Sequence, residues 1–306
     1  MGREDAYPLD RYLDASRTLS LDSYDWSRAR AHDLPPDFEQ AMVFISRVEA
    51  QTLFYVRDLL NSRTAYVPEI SAFLAVWLYE EERHSRMFRR FLSERGVVLD
   101  ADDRTLVRKA SAIGGVRELM EGLFLKVCSM STDHLVAVHM AWGAIQELAT
   151  INTYELLGER SNHPFLKELC ESIAKDERRH FAFYYNQAHR HLRPKAANRF
   201  ARILLKAWWK PVGFGIHSPQ HAYFIDDWLF GDAQGLARFR KMDETMSKLP
   251  GFEGLTLFED FHADAKRYIA KRKAKGLGFD DWVPVPHRDD ARRVHAIDST
   301  MISEPA

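Results

Sequence analysis

Four stretches of this chain repeat apolar residues at helical spacing, and each carries a glutamate inside its apolar stripe. From Asp37 to about Ser62 the stripe is Phe38, Met42, Ile45, Leu53, Val56 and Leu60, with Glu49 among them. From Pro68 to about Gly96 it is Phe73, Leu74, Trp77, Phe88 and Phe91, with Glu81 and His84. From Asp133 to about Leu157, Met140, Ala144, Ile151 and Tyr154 flank Glu147. The fourth stretch starts after "SNHP" (161 to 164) and runs to about Leu192, with Cys170, Ile173 and Tyr184 around Glu177 and His180. Residues separated by three, four or seven positions share one face of a helix. The acidic and imidazole groups therefore project into the core, not into water.

The second and fourth stretches carry matching pentads, "EEERH" at 80 to 84 and "DERRH" at 176 to 180. Glu81 follows Glu49 by 32 residues and Glu177 follows Glu147 by 30, so the chain reads as two helix pairs, each a Glu followed by Glu-x-x-His. A buried carboxylate costs several kcal/mol even after relaxation, so such groups are paired or bind metals. Four carboxylates balance two divalent cations, and two imidazoles complete the shells. Mostly oxygen ligands with one nitrogen per metal suit Fe(II) or Mn(II) better than structural zinc or Cu(I). Ferritin-like carboxylate bundles use this set of side chains. The candidate ligands are Glu49, Glu81, His84, Glu147, Glu177 and His180. Glu80 and Asp176 lie four residues before the two histidines. They are placed either to accept the outer N–H of an imidazole or to pair with Arg83 and Arg179.

A lone Glu-x-x-His is weak evidence. Glu259 and His262, in "FEDFH", show the same spacing with no partner glutamate and receive no role. His139, two turns before Glu147, reads as a core histidine. "WWKP" at 208 to 211 reads as a packed corner between helices.

Outside the four stretches, 103 to 127 suggests one or two shorter helices, and 196 to 209 a basic amphipathic one. Beyond Pro211 the signal weakens, with helices expected at 234 to 248 and 259 to 275 and an irregular tail from about 280. Strand-like alternation is scarce. The expectation is an all-α, ferritin-like four-helix bundle with additional helices. It divides into an N-terminal arm (1 to 34), a bundle core (35 to 212) and C-terminal helices with a tail packed on the core (213 to 306). With 43 basic and 44 acidic residues, the balanced charge argues against a nucleic-acid binder. Two cysteines, Cys128 and Cys170, form no C-x-x-C pair, and neither a signal-like apolar segment nor a run long enough to span a membrane occurs. A cytoplasmic location is expected.

The stretch "QELATINTYELLGERSNHPFLKELCESIAKDERRH" (146 to 180) resembles soluble acyl-acyl carrier protein desaturases, in which a Q-E-R-A-T segment precedes D-E-K-R-H. "YEEERHSRMFRRFLSERGVVLD" (79 to 100) is similar to the family's E-E-N-R-H region, with Glu82 in place of its Asn. The resemblance covers about residues 37 to 192. It implies a ferritin-like bundle holding two iron ions, with manganese an alternative at one position. The ligands it implies are the same six residues, and Thr150 would sit near bound oxygen and relay protons. It further implies an O2-dependent desaturase acting on an acyl chain held by acyl carrier protein, a ferredoxin-type electron donor and a homodimer. Met42, Trp77, Met140 and Tyr184 are candidate walls of an apolar substrate tunnel. Phe88 stands where reductase small subunits of this superfamily keep a radical tyrosine, and Ile173 where its arylamine N-oxygenases add a histidine ligand. The alternatives are a hydroxylase or N-oxygenase of a small natural-product intermediate, or a non-enzymatic iron-binding bundle.

Overall fold

The computed structural model describes residues 9–16, 19–99, 134–211, 213–214 and 219–277. The expectations for 103 to 127, for Cys128 and for the tail from 280 lie outside the described residues. Helix α1 is Leu9–Ala15, α2 Pro36–Ala50, α3 Thr52–Leu60, α4 Pro68–Glu94, α5 His134–Arg160 and α6 Pro164–His191. Helices α7 (Lys195–Trp208), α8 (Pro219–Phe230), α9 (Ala233–Met246) and α10 (Leu257–Ala274) follow. Among the described residues there is no β-strand.

The helix ends follow local chemistry. Prolines open α2, α4 and α6 at the first turn, where their missing N–H costs nothing. The His163 side chain accepts from Leu166 N and caps α6. Gly96, with φ of 89°, ends α4, and Val97 N returns to Leu92 O.

The structure departs from expectation in three places. The single helix expected from Asp37 to about Ser62 is two helices, α2 and α3, parted at Gln51. There the ladder tightens: Gln51 N bonds Val48 O, and Phe54 N bonds Gln51 O. Periodicity missed the break because apolar spacing continues across it. A helix over Pro219–Phe230 went unforeseen, since its apolar residues form no clean stripe. The third long helix also runs to Arg160, past Gly158.

Helix α2 packs on α4, and α5 packs along α6. The α5–α6 approach is close because α5 presents small residues. A Cβ on Gly143 would fall 2.4 Å from two ring carbons of Tyr184, and one on Gly158 would lie 3.1 Å from Cys170 Cβ. Mid-helix glycine costs about 1 kcal/mol of helix propensity relative to alanine, so Gly143 is a packing choice. Helices α8, α9 and α10 pack on one another, with α8 and α9 also touching α5. Trp209 is buried against Phe258 and Phe261, and Gln146 donates to Lys210 O, so "WWKP" is the corner expected of it. One apolar core runs through the molecule from Tyr12 to Phe261. The architecture is an all-α, ferritin-like four-helix bundle with additional helices.

Candidate metal centre

Helices α2, α4, α5 and α6 each deliver their stripe glutamate to the middle of the bundle. Glu49, Glu81, Glu147 and Glu177 are all buried, and His84 and His180 are fully so. The six residues form two overlapping clusters. In each, the potential ligand atoms lie within 4.8 Å of one another: Glu49, Glu81, His84 and Glu177 in one, and Glu81, Glu147, Glu177 and His180 in the other. Glu81 and Glu177 belong to both.

The distances give the sharing a direction. Glu177 Oε1 lies 2.9 Å from His84 Nδ1, and Glu177 Oε2 lies 2.9 Å from His180 Nδ1. One carboxylate thus faces both imidazoles, one oxygen to each. Glu81 Oε1 sits between the same two nitrogens, 3.9 Å from His84 Nδ1 and 3.1 Å from His180 Nδ1. Glu147 Oε2 closes the second cluster, 3.6 Å from His180 Nδ1. Glu49 closes the first.

The outer nitrogens are held from behind. His180 Nε2 is 2.8 Å from Glu80 Oε2, and His84 Nε2 is 3.4 Å from Asp176 Oδ2. An ionised carboxylate only accepts, so each Nε2 carries an N–H and each Nδ1 faces inward. Each acid precedes a histidine by four residues in its own pentad, yet serves the histidine of the other. Acid and histidine of one pentad share a helix face, and across the α4–α6 contact each acid meets the imidazole of the other helix.

Arg179 spans both acids, with Nη2 at 2.7 Å from Glu80 Oε1 and 3.0 Å from Asp176 Oδ1. Arg83, its counterpart, turns away to Leu19 O and the Tyr79 hydroxyl. Glu80 also accepts from Tyr12 Oη and Ser16 Oγ, each at 2.6 Å. Tyr12 and Ser16 were missed by sequence reasoning, because nothing in the polar stretch before residue 34 carries a helical apolar repeat.

Electrostatics describe a centre crowded with negative charge. Burial and the neighbouring acids push Glu49 well above the ordinary carboxylate range, with Glu81 the strongest neighbour. Glu147 is also pushed well up, chiefly by burial and opposed by the nearby His180 imidazole. Burial works to lower His84, but Glu177 and Asp176 outweigh it and raise the imidazole to about 10. Glu80 is opposed by burial too, yet bonds from His180, Ser16 and Tyr12 hold it at about 2. Without cations, protons must neutralise the acids.

Whether metal ions fit can be tested on unpaired atoms. Glu49 Oε2, Glu81 Oε1, His84 Nδ1 and Glu177 Oε1 are buried and have no hydrogen-bond partner. His84 Nδ1 and Glu177 Oε1 lie 2.9 Å apart but are not aligned for a bond. Orphaned buried polar atoms are rare and need an explanation. These four belong to one cluster, and all are metal-ligand types. A divalent cation held among them would satisfy every one.

The other named residues fall around this centre. Trp77 and Tyr184 are buried beside it, their rings 5.4 Å apart and that of Trp77 6.5 Å from His180. Tyr55 was not foreseen; its ring is 6.0 Å from Trp77. The hydroxyls of Tyr55 and Tyr184 and the indole nitrogen of Trp77 are buried without hydrogen-bond partners. Met42 and Met140 are fully buried core residues. Thr150 is half-buried on α5, three residues past Glu147. His139 bonds the Thr64 hydroxyl at 2.6 Å, a satisfied core histidine. His262 pairs with Asp226 and Glu259 with Arg240, so that decoy makes ion pairs instead.

A helical bundle with a buried carboxylate–histidine centre is thus the class that fold and site define. Residues 61–206 match the family model described as fatty acid desaturase. The matched segment includes Glu81, His84, Glu147, Glu177 and His180 and begins after Glu49. No curated protein matches the chain. No helix among the described residues is long and apolar enough to cross a membrane.

Proposed function

We propose that this protein is an O2-dependent di-iron oxidoreductase that desaturates an acyl chain, with the chain presented on acyl carrier protein. The observation that carries the reading is the pair of overlapping ligand clusters sharing Glu81 and Glu177. The desaturase family match, which covers α4, α5 and α6, supports it. Glu49, Glu81, His84 and Glu177 would hold one iron, and Glu81, Glu147, Glu177 and His180 the other. When bound, two irons supply the redox capacity to reduce O2 and remove hydrogen from an unactivated C–H bond.

The chain's own residues supply the rest. Glu80 and Asp176 keep the imidazole protons on Nε2, so both Nδ1 atoms stay available. Buried Trp77 and Tyr184, with half-buried Tyr55, keep water from the centre and give the substrate an aromatic wall. Tyr184 approaches so closely because Gly143 has no side chain. Thr150 is a candidate to move protons at the α5 side. A ferredoxin-type donor and a homodimer belong to the same reading.

Iron content, O2 uptake and product mass test it together. Protein loaded with Fe(II) should hold two irons per chain. Given reductant and an acyl-carrier substrate, it should consume O2 and yield a product two hydrogens lighter. A product heavier by one oxygen would replace desaturation with hydroxylation or N-oxygenation. Stable iron with no O2 uptake would leave an iron-binding bundle.

A further inference from the structure

Helix α1 lies outside the four-helix core, against α4 and α6. Its residue Tyr12 is nevertheless fully buried. The Tyr12 ring packs edge-on to Phe73 at 5.0 Å and lies 6.3 Å from the His180 ring. Its hydroxyl donates to Glu80 Oε2, the same oxygen that accepts from His180 Nε2. Four residues on, Ser16 Oγ donates to the other oxygen, Oε1, which Arg179 Nη2 also contacts. Glu80 is thus held at four points, two of them from the arm. Arg179 Nη1 also reaches back to Ala15 O at the end of α1.

We propose that the segment Leu9–Ser16 is a working part of the centre, with Tyr12 and Ser16 as positioning residues for His180. The inference rests on the metal reading above. A carboxylate with two free torsions below its Cβ does not aim itself. Packing alone would leave Glu80 able to rotate and share its oxygens with Arg179. The two hydroxyls fix the carboxylate plane, which fixes the direction in which Nε2–H points, and therefore where Nδ1 points. Outer partners of metal-bound histidines commonly change metal affinity by about 10- to 100-fold. Tyr12 and Ser16 stand one bond further out, so each should matter less, roughly 3- to 10-fold.

The test uses Co(II) as probe, because its visible absorption reports ligand geometry and needs no turnover. The full chain, freed of metal, is titrated with Co(II) against a competing chelator. Variants are Tyr12→Phe, Ser16→Ala and, as control, Tyr24→Phe. The control removes another arm hydroxyl, one that bonds Ser172 Oγ at 3.0 Å and touches neither carboxylate. Tyr12→Phe keeps the ring and its packing. The parent chain should bind two Co(II). Tyr12→Phe and Ser16→Ala should weaken one of the two ions by about 3- to 10-fold and alter its absorption bands, with thermal unfolding of the metal-free protein close to that of Tyr24→Phe. Titration curves and spectra indistinguishable from Tyr24→Phe would overturn the positioning role while leaving the metal reading intact. A parent chain that binds no Co(II) would overturn both.

Discussion

The two pentads, "EEERH" on α4 and "DERRH" on α6, look equivalent in sequence and do unequal work. Each supplies a glutamate and a histidine to the same centre. Their arginines part company. Arg179 turns inward and grips both outer acids, while Arg83 turns outward to a backbone carbonyl of the arm and to Tyr79. The helix pairs differ as well. Helices α5 and α6 run unbroken and close together, whereas the α2–α3 rod breaks two residues past Glu49. Repeated sequence therefore sets which side chains enter the centre. The neighbours on each outer flank decide what the remaining pentad residues do.

The largest expected effect attacks what the halves share. Glu177 faces both imidazoles, so Glu177→Ala should remove both ions, lowering affinity at least about 100-fold. Metal analysis of the desalted variant would check this. Two irons per chain in that variant would break the shared-ligand picture.

Next comes the inequality of the arginines. Arg179→Met leaves two buried carboxylates without their cation and should cost about 3 kcal/mol. Arg83→Met removes a largely peripheral contact and should cost under about 1 kcal/mol. Urea unfolding of the metal-free variants compares them directly, and equal midpoint shifts would erase the distinction drawn here.

A smaller effect tests the seam between halves, where His139 on α5 meets Thr64 just before α4. Burial pushes this imidazole down to about 4. The unfolded chain binds a proton near the ordinary value of about 6.5, so it takes up more protons than the fold between those two values. Stability is undiminished above pH 6.5 and falls as pH drops toward 4. His139→Gln should flatten that acid limb relative to the parent. An unchanged difference across pH 4 to 7 would contradict it.

The smallest concerns the closer helix pair. Gly143→Ala gains about 1 kcal/mol of helix propensity but drives a methyl into the Tyr184 ring. Overpacking costs about 1 to 3 kcal/mol, leaving a net loss near 1 kcal/mol. Pairing it with Tyr184→Leu, which clears the ring, should recover most of the loss; a Gly143→Ala chain melting at or above the parent temperature would show that the contact is loose.

How much was legible beforehand depends on range. All six centre residues could be named because each sits on an apolar stripe, and a stripe is a local pattern that burial must obey. The Gln51 break was invisible because apolar spacing does not register one tightened turn. Helix α8 was invisible because Tyr223, Phe224 and Trp228, apolar but only half-buried, blur the buried stripe of Ala222, Ile225, Leu229 and Phe230. Tyr12 and Ser16 were invisible because their partner is more than sixty residues away and their own surroundings are polar.

By itself, then, the sequence determined an all-helical bundle and the acids and imidazoles that meet inside it. Helical period and the cost of burying charge leave those side chains no other destination. Only the tertiary structure decided that Glu177 stands between the imidazoles, that each outer acid serves the opposite histidine, and that the arm closes on Glu80. Those choices depend on how separate helices are set against one another in space, which no local spacing encodes.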